Sequence, residues 1–316
     1  MRQKKFGLVL VKAVSSITNY VVLAVLLLCL VLGCYALLDS SMVYEETSTQ
    51  EYAVYRPDAD NALTFEDLKA INDETIGWIN VYGTNVDYPI VQGEDNDKYI
   101  DHTAKNTYSS AGAIFLDYRN KPDLTDFNSI IYGHHMAEHA MFGDLDQFQD
   151  RTFFDEHEYG SLYLDRRQGQ KEYGITFFAF VETEGNNSEL FTPGLEGTEA
   201  RQAYLDYIQD HAMYWRDATV TPEDQIVLLY TCTENLTNGR HVLVAKLTDE
   251  VRPDAFAKNE DSRFHVDAYS LWKQFTKVPI IFWSLGLLTV LLVIRYFYER
   301  HLRKKTQQNR KLEESA

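Results

Sequence analysis

The sequence predicts a mainly β protein, a closed or nearly closed barrel with peripheral helices, carried between two membrane-crossing helices. Three observations lead there. Eight short runs rich in β-branched, aromatic and leucine residues lie near 77–82, 87–92, 112–118, 128–134, 160–166, 173–183, 226–232 and 240–247, with polar segments between them. No internal repeat or low-complexity tract breaks this pattern, which suits short strands closing on themselves. Two apolar runs long enough to cross a bilayer, 21–38 and 278–294, stand near the two ends.

Composition narrows the function. The chain has 316 residues, 45% hydrophobic and 24% charged, with a formal net charge of −17. The ends run against that total: residues 1–41 sum to +3 and residues 279–316 to +4, leaving −24 on the middle. An acidic body argues against nucleic acid as a partner, because phosphate binding needs a basic face. The basic residues flank the outer sides of both apolar runs, so the positive-inside rule predicts cytoplasmic termini and an extracellular body. A cleaved signal peptide is the competing reading of the first run, and Val31-Leu-Gly-Cys34 resembles a lipoprotein processing site. The expected organisation is a cytoplasmic N-terminus (1–16), a transmembrane signal anchor (17–38), an extracellular linker (39–62), a catalytic domain (63–250), a return segment (251–277), a second transmembrane helix (278–298) and a cytoplasmic tail (299–316).

Along the body, Thr64 and Asp67 make a capping-box pattern for a short helix reaching about Asn72. Gly83-Thr-Asn supplies the turn between the first two strands. Phe142, Leu145 and Phe148 recur at helical spacing within 141–149, and Ala203, Tyr204, Tyr207, Ile208, Ala212 and Tyr214 do so within 198–215, so both stretches are expected to be helical.

The chemistry concentrates at 226–247. One strand ends at Cys232 and the next begins near Arg240, setting a thiol beside a permanent cation. A guanidinium there can favour the thiolate and hold an oxyanion. Cys29 and Cys34 lie in the first apolar run, so Cys232 is the one cysteine of the body, and no disulfide framework is available to it. The partner base expected is His134, in Ser129-Ile-Ile-Tyr-Gly-His-His-Met136, about a hundred residues upstream. His134, His135 and His139 also admit a zinc reading, but adjacent strand residues point to opposite faces and no further ligand stands at a suitable spacing. No metal or cofactor is expected.

These residues resemble the sortase signature, class B in particular: Tyr-Gly-His at 132–134, Thr-Cys at 231–232, and Arg240 with the strand after it. Gly77-Trp-Ile-Asn-Val-Tyr-Gly-Thr84, Asp87-Tyr-Pro-Ile-Val-Gln92 and Gly112-Ala-Ile-Phe-Leu-Asp117 resemble the same family in the same order, so the likeness spans roughly 62–250. The resemblance implies a sortase-like barrel of about eight strands, with a helix at 198–215 before the last strands. It implies that Cys232 attacks after a threonine of a sorting motif, that His134 serves as acid and base, and that Arg240 steadies the oxyanion. It also implies that Thr231 lines the substrate groove. Leu228 departs from the family, which usually has threonine there. Glu234, just past the cysteine, is read as tuning it or contacting substrate.

The function expected is a transpeptidase on the membrane of a Gram-positive cell, joining secreted surface proteins or pilins that bear a C-terminal sorting signal to an amine. That amine belongs to a lipid II cross-bridge or to a pilin lysine. The alternatives are a non-catalytic, membrane-tethered binding module and a cysteine endopeptidase without transfer. A papain-like order places Cys before His, opposite to this chain.

Overall fold

The computed structural model describes residues 14, 18–36, 49–57, 63–136, 139–166, 169–216, 219–232 and 239–257. The chain divides into two units, residues 1–41 with 259–316 and residues 42–258. In the first, helix α1 (Thr18–Ala36) runs 19 residues at a mean hydropathy of 2.3, long and apolar enough to cross a bilayer. The second apolar run, 278–294, lies outside the described residues.

The second unit is built on nine strands: β1 (Thr75–Val81), β2 (Asp87–Val91), β3 (Ile114–Leu116), β4 (Asn128–Tyr132), β5 (Tyr159–Arg166), β6 (Gly169–Glu184), β7 (Ala212–Trp215), β8 (Ile226–Cys232) and β9 (Gly239–Thr248). Their order is β5-β1-β2-β3-β4-β8-β9-β6-β7, and a further β5–β6 pairing closes eight of them into a barrel, with β7 outside the ring on β6. Pairs β2–β3 and β4–β8 are parallel, so the barrel is mixed. Closure depends on the length of β6, which pairs β5 along Gly169–Thr176 and β9 from Gly174 onward. A register shift between Phe177 and Ala179, just past the last β5 pair and within the β9 ladder, marks a bulge where β6 leaves β5.

Alternation along the strands separates two cores. Val227, Leu229, Leu243, Ala245 and Leu247 face the barrel interior with Ile79, Phe148 and Phe177. Ile226, Leu228, Val242 and Val244 face outward, where Tyr204, Leu205 and Ile208 of helix α5 (Thr198–His211) cover them. Burial on both faces explains why β8 and β9 are continuous apolar runs in sequence. Leu228 belongs to this outer core and is fully buried.

Several elements differ from expectation. The linker holds helix α2 (Thr49–Ala53), and Tyr52 and Tyr55 are buried in the main core, so chain read as tether packs on the body. The expected helix at 64–72 is α3 (Phe65–Ile71), with the Thr64–Asp67 capping box formed. The strand expected at 128–134 ends at Tyr132, and that at 112–118 is three residues long. The stretch 141–149 forms a 3-10 helix, Gly143–Gln149. It is followed by an unforeseen helix α4 (Arg151–Glu156), whose N-cap Asp150 accepts from Thr152 and Phe153 backbone N–H. The helix at 198–215 stops at His211 and becomes β7, because Ala212, Tyr214 and Trp215 pair with β6 and Tyr214 packs on Phe154.

Candidate active site

β8 lies between β4 and β9, and its two registers bring the candidate residues to neighbouring strand ends. In the parallel β4–β8 ladder Tyr132 stands opposite Tyr230, and Gly133 N–H continues the pairing to Tyr230 O at 3.1 Å. His134 is therefore two residues past the pair, as Cys232 is on β8. In the antiparallel β8–β9 ladder Cys232 pairs directly with Arg240. Adjacent strands lie ~4.8 Å apart, so sheet geometry sets the backbones of Cys232 and Arg240 side by side and brings the β4 chain up to Gly133 next to them.

His134 is half-buried, and its Nε2 lies 2.8 Å from the Ile100 carbonyl. A carbonyl only accepts, so Nε2 carries a proton and Nδ1 is the nitrogen that can take or give one. The His134 carbonyl in turn accepts from Phe142 N–H at 3.0 Å. Arg240 donates through Nε to the Tyr230 hydroxyl at 2.6 Å and through a terminal nitrogen to Gly239 O at 2.8 Å. Its guanidinium carbon stands 5.5 Å from the Tyr230 ring centre. These contacts fix the planar fork and leave further donors for an anion.

Tyrosines build the surrounding wall. Tyr230 and Tyr132 meet edge-on at 4.9 Å, and Phe191, from the loop before α5, meets Tyr230 at 4.6 Å. Tyr132 donates to Asp117 at 2.8 Å, and Asp117 also takes a two-point ion pair from Arg119. Burial and the facing carboxylate push the Tyr132 hydroxyl well above the ordinary phenol range, so it stays a donor. Burial works to raise Asp117 too, but its bonds from Arg119, Tyr132 and Asn96 hold it below the usual carboxylate range. Asn128 ties the loop before α5 to β4 by donating to Thr192 O and accepting from Leu195 N–H.

Thr231, expected to line the groove, is fully buried beside His241, its register partner, and its hydroxyl lacks a partner among the described residues. Being one residue from Tyr230 on a strand, it faces the barrel interior, away from the wall that Tyr230 and Arg240 share. His134, His135 and His139, which also admit a zinc reading, contact three different acceptors: His134 the Ile100 carbonyl, His135 Asp146 and His139 Asp144. Glu234 falls outside the described residues. Tyr230 was missed from sequence, although strand alternation puts position 230 on the face of its cross-strand diagonal, Arg240. The Ile100 carbonyl left no trace, since any residue supplies one.

A family model for the sortase domain matches residues 79–248. Sortase B of Listeria monocytogenes is 33% identical over 211 residues, which is 66% of this chain and 82% of that protein. Among solved structures, sortase B from the type II pilus of Streptococcus pneumoniae is 46% identical with a TM-score of 0.51, covering 59% of this chain and 99% of its own. A Streptococcus pyogenes class B sortase involved in pilus biogenesis is 36% identical with a TM-score of 0.53, covering 58% of this chain and 97% of its own. With the sortase model spanning over half of the sequence and these relatives matched along most of their length, the chain belongs to the sortase family, class B, whose members are cysteine transpeptidases.

Proposed function

We propose that this class B sortase is a membrane-anchored enzyme that cuts a C-terminal sorting motif after threonine and transfers the new carbonyl to an amine, with Cys232, His134 and Arg240 as its catalytic residues. The observation that carries this reading is the pair of ladders around β8, with Tyr132 opposite Tyr230 and Cys232 opposite Arg240.

The Cys232 thiolate attacks the threonine carbonyl carbon, forming a C–S bond and a tetrahedral oxyanion that the Arg240 guanidinium stabilises. Collapse breaks the C–N bond as His134 gives a proton to the leaving amine. The incoming amine loses a proton to His134 and attacks the thioester, and the C–S bond breaks to restore the thiolate. Helix α1 suits the membrane anchor by length and hydropathy. An extracellular body with both termini in the cytoplasm follows from the flanking charges and from a second span at 278–298.

Of the two acceptors, a pilin lysine is favoured over a wall cross-bridge. The supporting observation is the 46% identity to the pneumococcal pilus sortase, against 33% to Listeria sortase B. The test incubates the full chain in detergent micelles with sorting-motif peptides and either a lysine-bearing pilin fragment or a cross-bridge peptide. The expected result is amine-dependent product that Cys232→Ala abolishes, formed faster with the lysine acceptor. Product that persists without the thiol defeats the mechanism, and release without amine capture favours an endopeptidase.

A further inference from the structure

Each proposed catalytic residue has a chain neighbour that points beneath the groove. His135 follows His134, Thr231 precedes Cys232, and His241 follows Arg240. One carboxylate joins two of these neighbours: Asp146, on the 3-10 helix Gly143–Gln149, lies 2.6 Å through Oδ2 from His135 Nε2 and 2.6 Å through Oδ1 from His241 Nδ1. A carboxylate accepts only, so both ring nitrogens donate to it. Burial tends to raise the Asp146 carboxyl, but the two histidine bonds outweigh it and hold it at about 2. The acceptor is therefore an anion throughout the neutral range.

What this tie connects makes it more than a packing detail. β4 and β9 share no ladder, because β8 lies between them. β4 also stops at Tyr132, and beyond Gly133 the segment carrying His134 leaves the β8 ladder, held by Phe142 N–H on the His134 carbonyl and by an isolated bridge between His135 and Met141. Asp146 links that segment to His241, near the start of β9. Its own base is firm, since Leu145 and Phe148 on the same helix are fully buried, and the adjacent Asp144 accepts from Asn85 N–H at 2.6 Å and from Gln147 at 2.6 Å.

We propose that Asp146 is a positioning residue for transpeptidation: by accepting from His135 and His241 together, it holds His134 in line with Arg240 on the two sides of Cys232. This rests on the transpeptidase reading above and deepens it. Other charged groups facing the cluster are Glu182 of β6, whose Oε1 is 4.0 Å from His241 Nε2, and the His139–Asp144 pair beside it. Neither bridges the two catalytic elements.

The test compares the full chain in micelles with its Asp146→Ala and Asp146→Asn variants. Turnover of sorting peptide with an amine gives kcat and KM. The pH profile of iodoacetamide alkylation at Cys232, followed by peptide mass spectrometry so that Cys29 and Cys34 do not contribute, needs no substrate. Melting curves report the folded fraction. A misplacement near 1 Å costs on the order of 100-fold, so Asp146→Ala is expected to lose about that much in kcat with KM little changed. Asp146→Asn keeps an acceptor for one histidine and should fall between it and the wild type, and both should displace the alkylation profile. Folded variants with wild-type kcat and profile overturn the proposal, as does a loss that only tracks the folded fraction. If Asp146→Ala does not fold, the asparagine variant decides by the same criteria. A wild type that turns over no peptide defeats the transpeptidase reading instead, while the alkylation profiles still decide whether Asp146 governs the surroundings of Cys232.

Discussion

Arg240 reaches its place through Tyr230. The hydroxyl accepts from Nε at 2.6 Å, so Tyr230→Phe removes the acceptor while keeping the ring against Tyr132 and Phe191. A hydrogen bond to a charged group contributes about 1.5–3 kcal/mol, so kcat/KM for sorting peptide should fall roughly tenfold or more. Unchanged kcat/KM in a folded variant means that Arg240 holds its position without this bond. Residue types were legible where chemistry demands a rare one: a lone thiol in the body, an arginine at a strand start, a histidine after glycine. Thr231 shows the limit. Its place before Cys232 suggested contact with substrate, yet strand alternation turns it inward beside His241, and alternation was the principle that the motif match overrode.

At the level of elements, chain entering and leaving the barrel matters more than composition suggests. Tyr52 and Tyr55 are 5% and 7% exposed, and Tyr52 meets Tyr88 edge-on at 6.3 Å. A chain begun at residue 63 should therefore melt lower than one begun at residue 49 by differential scanning calorimetry, and equal melting temperatures speak against packing of α2. Helix α4 depends on Asp150, whose Oδ1 accepts from Thr152 and Phe153 N–H at 2.7 and 3.0 Å. Asp150→Ala should lower the urea unfolding midpoint, with an unchanged midpoint counting against the cap. Both elements are hard to see in sequence, being five and six residues long. So short a helix shows barely one turn of periodicity, and its stability comes from what it packs on. The misread end of α5 has a related cause. Ala212 and Tyr214 fit a helical stripe, but pairing to the outer side of β6 wins once Tyr214 can pack on Phe154.

For the molecule as a whole, acid should be the weak side. Asp146 sits at about 2 against an ordinary 3.8, and Asp117, Asp126 and Asp224 are likewise held below their ordinary values. Burial opposes each of these, while hydrogen bonds and nearby cations or histidines win. A carboxyl whose folded value lies below its unfolded one stabilises fully above the unfolded value and loses that contribution as pH falls through the folded one. Of these changes the one at Asp146, from 3.8 to about 2, is the largest. Urea unfolding should therefore show stability dropping between about pH 4 and pH 2, less steeply in Asp146→Asn, and parallel acid limbs for the two proteins exclude Asp146 as a source. Local pattern alone specifies the family, the strand-rich body and the apolar N-terminal run, because each is written in short-range periodicity or in motifs at a fixed spacing. Only the tertiary structure decided that β6 closes eight strands into a ring, that Ile100 presents its carbonyl to His134, and that Asp146 joins His135 to His241. The Ile100–His134 and Asp146–His241 contacts span 34 and 95 residues, and sequence periodicity carries no record of which distant groups a closed barrel turns toward each other.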